Sequence, residues 1–191
     1  KDVVRGDYVI LPKLPHKETA KSISLAKFNQ LDSSNYRRGL LTFPIDAQTA
    51  WLLGLYIAEG HTGGKKNNPY INFTLNKKET SILERLTSVF KRLGYSVNLK
   101  LYDDRNSMEV RVVCASLARA LKEWVGNGAV NKRIPDFMLS APKEIKVALL
   151  RGLFEGDGYI KRNKVHFHTS SKILALQVQL LVASLDGLLG I

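Results

Sequence analysis

Two nine-residue stretches, LLGLYIAEG at 52–60 and LRGLFEGDG at 150–158, repeat a device that leaves few ways to fold. Each has a small residue third (Gly54, Gly152), another seventh (Ala58, Gly156), and an acid before the closing glycine (Glu59, Asp157). Small residues four apart share one helical face. They remove the side chains that hold packed helices about 8–10 Å apart. Two such helices can pack backbone to backbone, with their C-terminal ends side by side. That arrangement brings Glu59 and Asp157 together.

The glycines and lysines after Glu59 invite another reading, the phosphate cradle of a P-loop. A P-loop spaces its first glycine about four residues from Gly-Lys, followed by Ser or Thr. Here His61, Thr62 and Gly63 separate Gly60 from Gly64-Lys65, and Lys66 comes next. A P-loop also leads from a strand into a helix whose N-terminus faces phosphate, whereas here a helix precedes the acid and a loop and strand follow. The acid carries the chemistry, and Lys65 and Lys66 lie on a basic loop beside it.

The patterns around the two motifs also repeat. Asp46 stands two residues after Pro44, where its carboxylate can cap the N–H of Gln48 or Thr49 and start a helix. That helix is expected to end near Glu59, with Gly60 as a glycine C-cap. NPYINFTLNKKE then alternates: Ile71, Phe73 and Leu75 against Asn72, Thr74 and Asn76. ETSILERLTSVFKRLG reads as an amphipathic helix. YSVNLKLYDDRNSMEVRVVC reads as a hairpin, with Val97, Leu99, Leu101, Val110 and Val112 on its apolar side. ASLARALKEWVG closes the unit, giving α-β-α-β-β-α, with room for a further short strand between Gly60 and Tyr70. After the linker NGAVNKRIPDFMLSAP the pattern restarts. KVHFHTSSKILALQVQLLVASLDG restates the first strand and helix, with Val165 and Phe167 in the places of Ile71 and Phe73, and His166 and His168 on the polar face. The second copy has no counterpart of the hairpin and closing helix. The predicted organisation is 1–43, an N-terminal arm or domain edge; 44–131, the first unit; and 132–191, linker and incomplete second unit.

The net charge of +12 and pI near 9.8 favour a polyanionic partner, nucleic acid before membrane. Cys114 is the single cysteine, so no disulfide framework or cysteine zinc site forms within the chain. No apolar run approaches the roughly 18 residues of a membrane span, and KDVVRGDYVI lacks the apolar stretch of a secretory signal. The expected setting is intracellular and cytoplasmic.

A helix C-terminus is a poor place for a carboxylate, because the helix dipole is negative there. Two carboxylates together also repel and raise a pKa. A hard divalent cation resolves both, and Mg²⁺ typically takes one or two carboxylates plus phosphate oxygens. The paired acids therefore point to a Mg²⁺ site at Glu59 and Asp157.

On these residues the chain resembles the LAGLIDADG (dodecapeptide, DOD-type) homing endonucleases, in the single-chain kind with two motif copies. The resemblance implies an α+β fold of duplicated αββαββα-type halves, a saddle of antiparallel sheets, and an incomplete second half here. It implies a monomer that cuts both strands of double-stranded DNA at a long recognition site with Mg²⁺. Glu59 and Asp157 would be the metal ligands. Polar residues near saddle-strand ends fall on Asn76 and Ser170, and a catalytic lysine following the first half's last helix falls on Lys132 in NKRIP. The matching lysine of the second half would lie past Ile191. The polar strand faces would bind DNA through Asn72, Thr74, Asn98, Lys100, Arg111, His166 and His168, helped by Lys65, Lys66, Lys77, Lys161 and Arg162. The stretch RGDYVILPKLP is similar to the segment leading out of an intein splicing domain, which favours an intein-derived over an intron-encoded endonuclease. A DNA-binding regulator or RNA-splicing cofactor (maturase) that lost cleavage is the alternative. Loss of a motif acid would mark it, and both acids are present.

Overall fold

The computed structural model describes residues 14–17, 20–29, 40–65, 68–162 and 164–185. The chain begins with β1 (Ser22–Ser24), α1 (Ala26–Asn29) and β2 (Thr42–Pro44). The first unit then runs α2 (Ala47–Glu59), β3 (Gly60–Lys65), β4 (Asn68–Asn76), α3 (Thr80–Arg92), β5 (Asn98–Leu101), β6 (Ser107–Val112) and α4 (Ala115–Val125). A 3-10 turn (Ala129–Asn131) and α5 (Asp136–Leu139) link it to α6 (Lys143–Asp157), β7 (Gly158–Lys161), β8 (Lys164–Phe167) and α7 (Lys172–Ser184). The first unit is thus αββαββα, and the second repeats its opening αββα.

Asp46 opens α2 as its position predicts. Its carboxylate accepts the N–H groups of Gln48 and Thr49 at 2.9 Å each, and the Thr49 hydroxyl accepts the Asp46 N–H at 3.1 Å. The Arg92 guanidinium closes on the same carboxylate at 2.7 Å, tying the end of α3 to the start of α2. Strands β3-β4-β6-β5 form one antiparallel sheet in that order, and β7-β8 form a hairpin. Ile71, Phe73 and Leu75 of β4 and Met108, Val110 and Val112 of β6 are buried in the core with Leu86, Val89 and Phe90 of α3. Cys114 is buried at the entrance to α4.

Helices α2 and α6 meet backbone to backbone. A Cβ on Gly54 would sit 2.0 Å from the Leu149 carbonyl oxygen, and one on Gly152 would sit 2.1 Å from that of Trp51. The contacts are reciprocal, since Trp51 and Leu149 hold equivalent places before the two motifs. Further along, a Cβ on Gly156 would meet the Ala58 methyl at 2.4 Å.

Gly60 caps α2 as expected, its N–H donating to the Tyr56 carbonyl; its backbone is extended, with φ −92° and ψ 150°, so α2 passes straight into β3. A glycine stands there because a Cβ would strike the Tyr56 ring at 2.3 Å, and Gly158 repeats the geometry against Phe154. The stretch after Glu59 is a strand, paired with β4 from Gly60↔Phe73 to Lys65↔Asn68, and not a basic loop. Its glycines hide any alternation, yet Gly63 is the seat across which the Tyr70 ring lies. Leu99 and Leu101 are 48% and 58% exposed, because β5 is the sheet's outer strand and its predicted apolar side is left in solvent. Over its described part the N-terminal arm packs on both units: the Lys17 N–H donates to the Ser140 carbonyl at 2.8 Å and Lys146 Nζ to the Pro15 carbonyl at 3.0 Å, while residues 20–29 lie on the first unit. β1 pairs with β2, Leu25 and Phe28 are buried, and Arg119 holds the Phe28 carbonyl at 2.7 Å. Leu14 and Leu40 also pack against the core, so scattered apolar side chains seat a segment with no sustained period. Most of the stretch RGDYVILPKLP, residues 5–13, lies outside the described residues.

Because the obstructing atoms at Gly54 and Gly152 are backbone, even a methyl has nowhere to go. Gly54→Ala or Gly152→Ala is expected to destabilise the protein by about 3 kcal/mol, read as a lower urea midpoint. An unchanged midpoint would mean the two backbones do not touch.

Candidate functional site

Glu59 and Asp157 are the last residues of α2 and α6, so the glycine contact carries both acids to one place. The Glu59 side chain runs across the face of α6, its Cγ 3.1 Å from where a Gly156 Cβ would stand. Burial pushes the Glu59 carboxyl up to about 7, the charges of Asp157 and Glu79 add to that, and Lys132 opposes them. Asp157 is likewise raised by burial and lowered by Lys132. Lys132 itself is lowered by burial and raised by the two acids. Its Nζ donates to the Ala58 carbonyl at 2.9 Å, setting a cation against the negative end of α2.

Two half-buried carboxylates that resist ionising fit a hard divalent cation. Such an ion would offset both the desolvation and the repulsion, and two carboxylates leave most of an octahedral shell to water and phosphate oxygens. Glu59 and Asp157 are the residues that would hold it.

The other expected site residues divide. Asn76 ends β4, where its Oδ1 accepts the Lys78 N–H at 3.0 Å and its own N–H donates to Glu79 at 2.7 Å. This turn brings Glu79 electrostatically close to Glu59. In the sequence Glu79 reads as an ordinary helix-entry acid, and only the folded turn gives it this place. Ser170 lies exposed before α7, whereas its neighbour Ser171 is buried and donates to the Lys132 carbonyl at 2.6 Å. Glu155 likewise takes its place only in the fold. Where the first motif has Ile57, it accepts the Trp51 indole N–H at 2.6 Å and pairs with Arg151 at 2.7 Å and Arg85 at 3.7 Å. The sequence signal was a lone acid inside the second motif.

The strand register sets out the polar face of the larger sheet. His61, Asn72, Arg111 and Asn98 form one row across it, and Thr74, Glu109 and Lys100 the next. Thr74, Asn98 and Lys100 are exposed, as is Lys65 at the end of β3. Asn72 departs from expectation: it is 2% exposed, and its Oδ1 has no partner among the described residues. Beside it, Arg111 lies over the Tyr70 ring at 4.1 Å and 3.7 Å from Glu109. Lys77, in the turn from β4 to α3, donates to the Tyr102 carbonyl in the link between β5 and β6. Lys66 lies outside the described residues. On the smaller hairpin, Lys161 and Arg162 are exposed at the turn. His166 stacks on Tyr159 with centroids 4.9 Å apart, and His168 Nε2 meets the Tyr159 hydroxyl at 3.0 Å.

The sequence matches a family model described as a LAGLIDADG-like domain over residues 46–126 and 144–187. The chain belongs to the LAGLIDADG family. Its LAGLIDADG helices are α2 and α6. It is 39% identical over 150 residues to the ATP-dependent DNA helicase Hel308 of Thermococcus kodakarensis, covering 74% of this chain and 13% of the helicase. It is 32% identical over 146 residues to the replication factor C small subunit of Methanocaldococcus jannaschii, covering 71% of this chain and 8% of that protein. The chain thus spans only about a tenth of the length of these curated relatives. The crystal structure of I-DmoI in complex with DNA and Ca superposes with a TM-score of 0.55 at 17% identity, over 73% of this chain and 72% of that one. At that identity the likeness is one of fold. Among the described residues no helix is long and apolar enough to cross a membrane.

The raised Glu59 carboxyl has a consequence for stability. The fold holds this proton more tightly than the unfolded chain does, where the ordinary value is 4.5. The contribution is present below pH 4.5 and lost as pH rises through about 7. In chelator, the melting temperature is expected to fall between pH 5 and 8, and to fall less in Glu59→Gln. Equal pH dependence in the parent and Glu59→Gln would show that Glu59 is not the strained group.

Proposed function

We propose that this chain is a site-specific endonuclease of the homing type, hydrolysing both strands of double-stranded DNA with a divalent metal, Mg²⁺ by preference. The observation that supports this best is the meeting of Glu59, Asp157 and Lys132 at the joined ends of the two LAGLIDADG helices. The metal, when bound, supplies an activated water and stabilises the leaving oxygen. Glu59 and Asp157 hold it, one carboxylate from each unit. Lys132 stands ready to stabilise charge developing on the scissile phosphate, and Asn76 at the end of β4 and Ser170 between β8 and α7 are assigned to the flanks of the cleavage centre. Lys65, Lys66, Lys77, Lys100, Arg111, Lys161 and Arg162 grip the phosphate backbone. Thr74, Asn98, His166 and His168 offer amide, hydroxyl and imidazole groups to base edges. One chain supplies both acids, so the active form is a monomer.

A similar segment makes up 13% of a DNA helicase and 8% of a replication factor C small subunit, proteins with different names and roles. A piece shared by such different hosts behaves as an insertion. This supports an intein-derived endonuclease.

Asp157→Asn keeps the side-chain shape and removes a charge. Cleavage of a target plasmid is expected to collapse, while metal-free DNA binding by gel shift survives or improves; Glu59→Gln should do the same. Double-strand cutting by Asp157→Asn at the parental rate would refute the metal assignment. Joint loss of binding and cleavage in both variants would favour a non-cleaving DNA-binding regulator or maturase. If about six phosphates are neutralised, log K against log[salt] should slope near roughly −5. A salt-independent affinity would remove the sheet face as the DNA surface.

A further inference from the structure

We propose that Ser171 and Gln177, both on the second unit's α7, are positioning residues for Lys132, so that the lysine is aimed at the two acids only when the units are docked. The inference deepens the endonuclease reading and rests on it for the role of Lys132. Lys132 belongs to neither motif helix. It follows the 3-10 turn in extended backbone, with φ −61° and ψ 138°, on a connecting segment. A lysine on a free connection would sample many orientations, because its stem is long and flexible. Here the segment is pinned at three successive residues. The Lys132 carbonyl accepts the Ser171 hydroxyl at 2.6 Å. The Arg133 N–H donates to the Val125 carbonyl at 2.9 Å, and its guanidinium to that of Glu123 at 2.8 Å. The Ile134 N–H donates to Gln177 Oε1 at 2.7 Å, and Gln177 Nε2 donates back to the Ile134 carbonyl at 2.9 Å.

The anchors alternate between units: α7, then α4, then α7. Gln177 meets both backbone groups of Ile134 as a neighbouring strand would. Ile134 and Ser171 are buried, so water is a poor substitute for either anchor. The Ser171 hydroxyl works in both directions, since it also accepts the Leu174 N–H at 3.2 Å as the N-cap of α7. Held this way, Lys132 reaches the Ala58 carbonyl beside both acids.

The first unit uses the same helical place differently. Counted from the N-caps Glu79 and Ser171, the α3 residue equivalent to Gln177 is Arg85. Arg85 reaches across to Glu155 and lies over the Trp51 ring at 4.1 Å. From one helical position Arg85 thus reaches into the other unit and Gln177 reaches the connecting segment. The α7 residue is the one with an amide matched to a peptide bond.

The test has two arms, run on the full chain. In the first, Lys132 acylation by a small amine-reactive reagent is followed by peptide mass spectrometry. Loss of the Gln177 bonds in Gln177→Met should raise the Lys132 rate about tenfold, with exposed lysines such as Lys100 unchanged. Ser171→Ala should act in the same direction, and Ser171→Thr should restore the parental rate. In the second arm, single-turnover cleavage is measured for Gln177→Met, Lys132→Met and the double variant. Gln177→Met should slow cleavage with unchanged target binding in Ca²⁺, and should have no further effect once Lys132 is Met. Unchanged acylation in Gln177→Met overturns the proposal, as does an equal further slowing in the Lys132→Met background. If the parent cuts no DNA, the endonuclease reading fails while the acylation arm still decides whether α7 positions Lys132.

Discussion

The contact between α2 and α6 at Gly54 and Gly152 governs the rest of the molecule. It removes two side chains and lets peptide groups of one helix rest on those of the other. That closeness sets how near the helix ends come, and the helix ends carry the acids. A pair of ordinary apolar helices would hold Glu59 and Asp157 several ångströms further apart. The same glycines contribute no side-chain burial of their own. The large residues around them, Trp51, Leu53, Leu55, Leu149 and Leu153, supply it instead.

Closeness carries an electrostatic penalty that the surroundings only partly offset. Glu59 is raised by burial, by Asp157 and by Glu79, and Lys132 is the cation that answers them. The arrangement is uneven between the units. Glu79 stands at the first unit's N-cap, while Ser171 holds that place in the second. Glu155 lies two residues before Asp157 and is neutralised by Arg85 and Arg151, so its charge is spent on joining the units rather than on the pair. Asp157, one member of the strained pair, and the satisfied Glu155 sit on one helix, and only their partners distinguish them.

The polar sheet face shows a similar division of labour. Its cations rest on aromatic rings, Arg111 on Tyr70 and Lys100 on Tyr102, and each ring gains a partner for its negative face. Asn72 lies in the same row as Arg111, shielded from solvent, its carbonyl oxygen without a partner among the described residues. On the smaller hairpin, Tyr159 and two histidines make a stacked cluster. Glycine at Gly63 gives Tyr70 its room, so residues that look like punctuation in the sequence shape this surface.

Spacing alone was enough to identify the two helices, the acids that end them, the small residues that join them, the Asp46 cap and the alternating strand β4. Each rests on a local rule: a helical period, a strand period, or a side chain bonding its own neighbours. Strand β3 was harder to read because glycine-rich residues carry no alternation, and only pairing with β4 makes them a strand. The exposure of Leu99 and Leu101, the burial of Asn72, the seating of Leu25 and Phe28, and the roles of Glu79, Glu155, Ser171 and Gln177 depend on residues far away in the chain. Gln177 on an amphipathic helix reads as a solvated polar residue. It becomes a backbone partner only when Ile134, 43 positions earlier, is laid against it. Periodicity records which face of an element is apolar, whereas polar pairing depends on which element that face meets, and only the tertiary fold decides that.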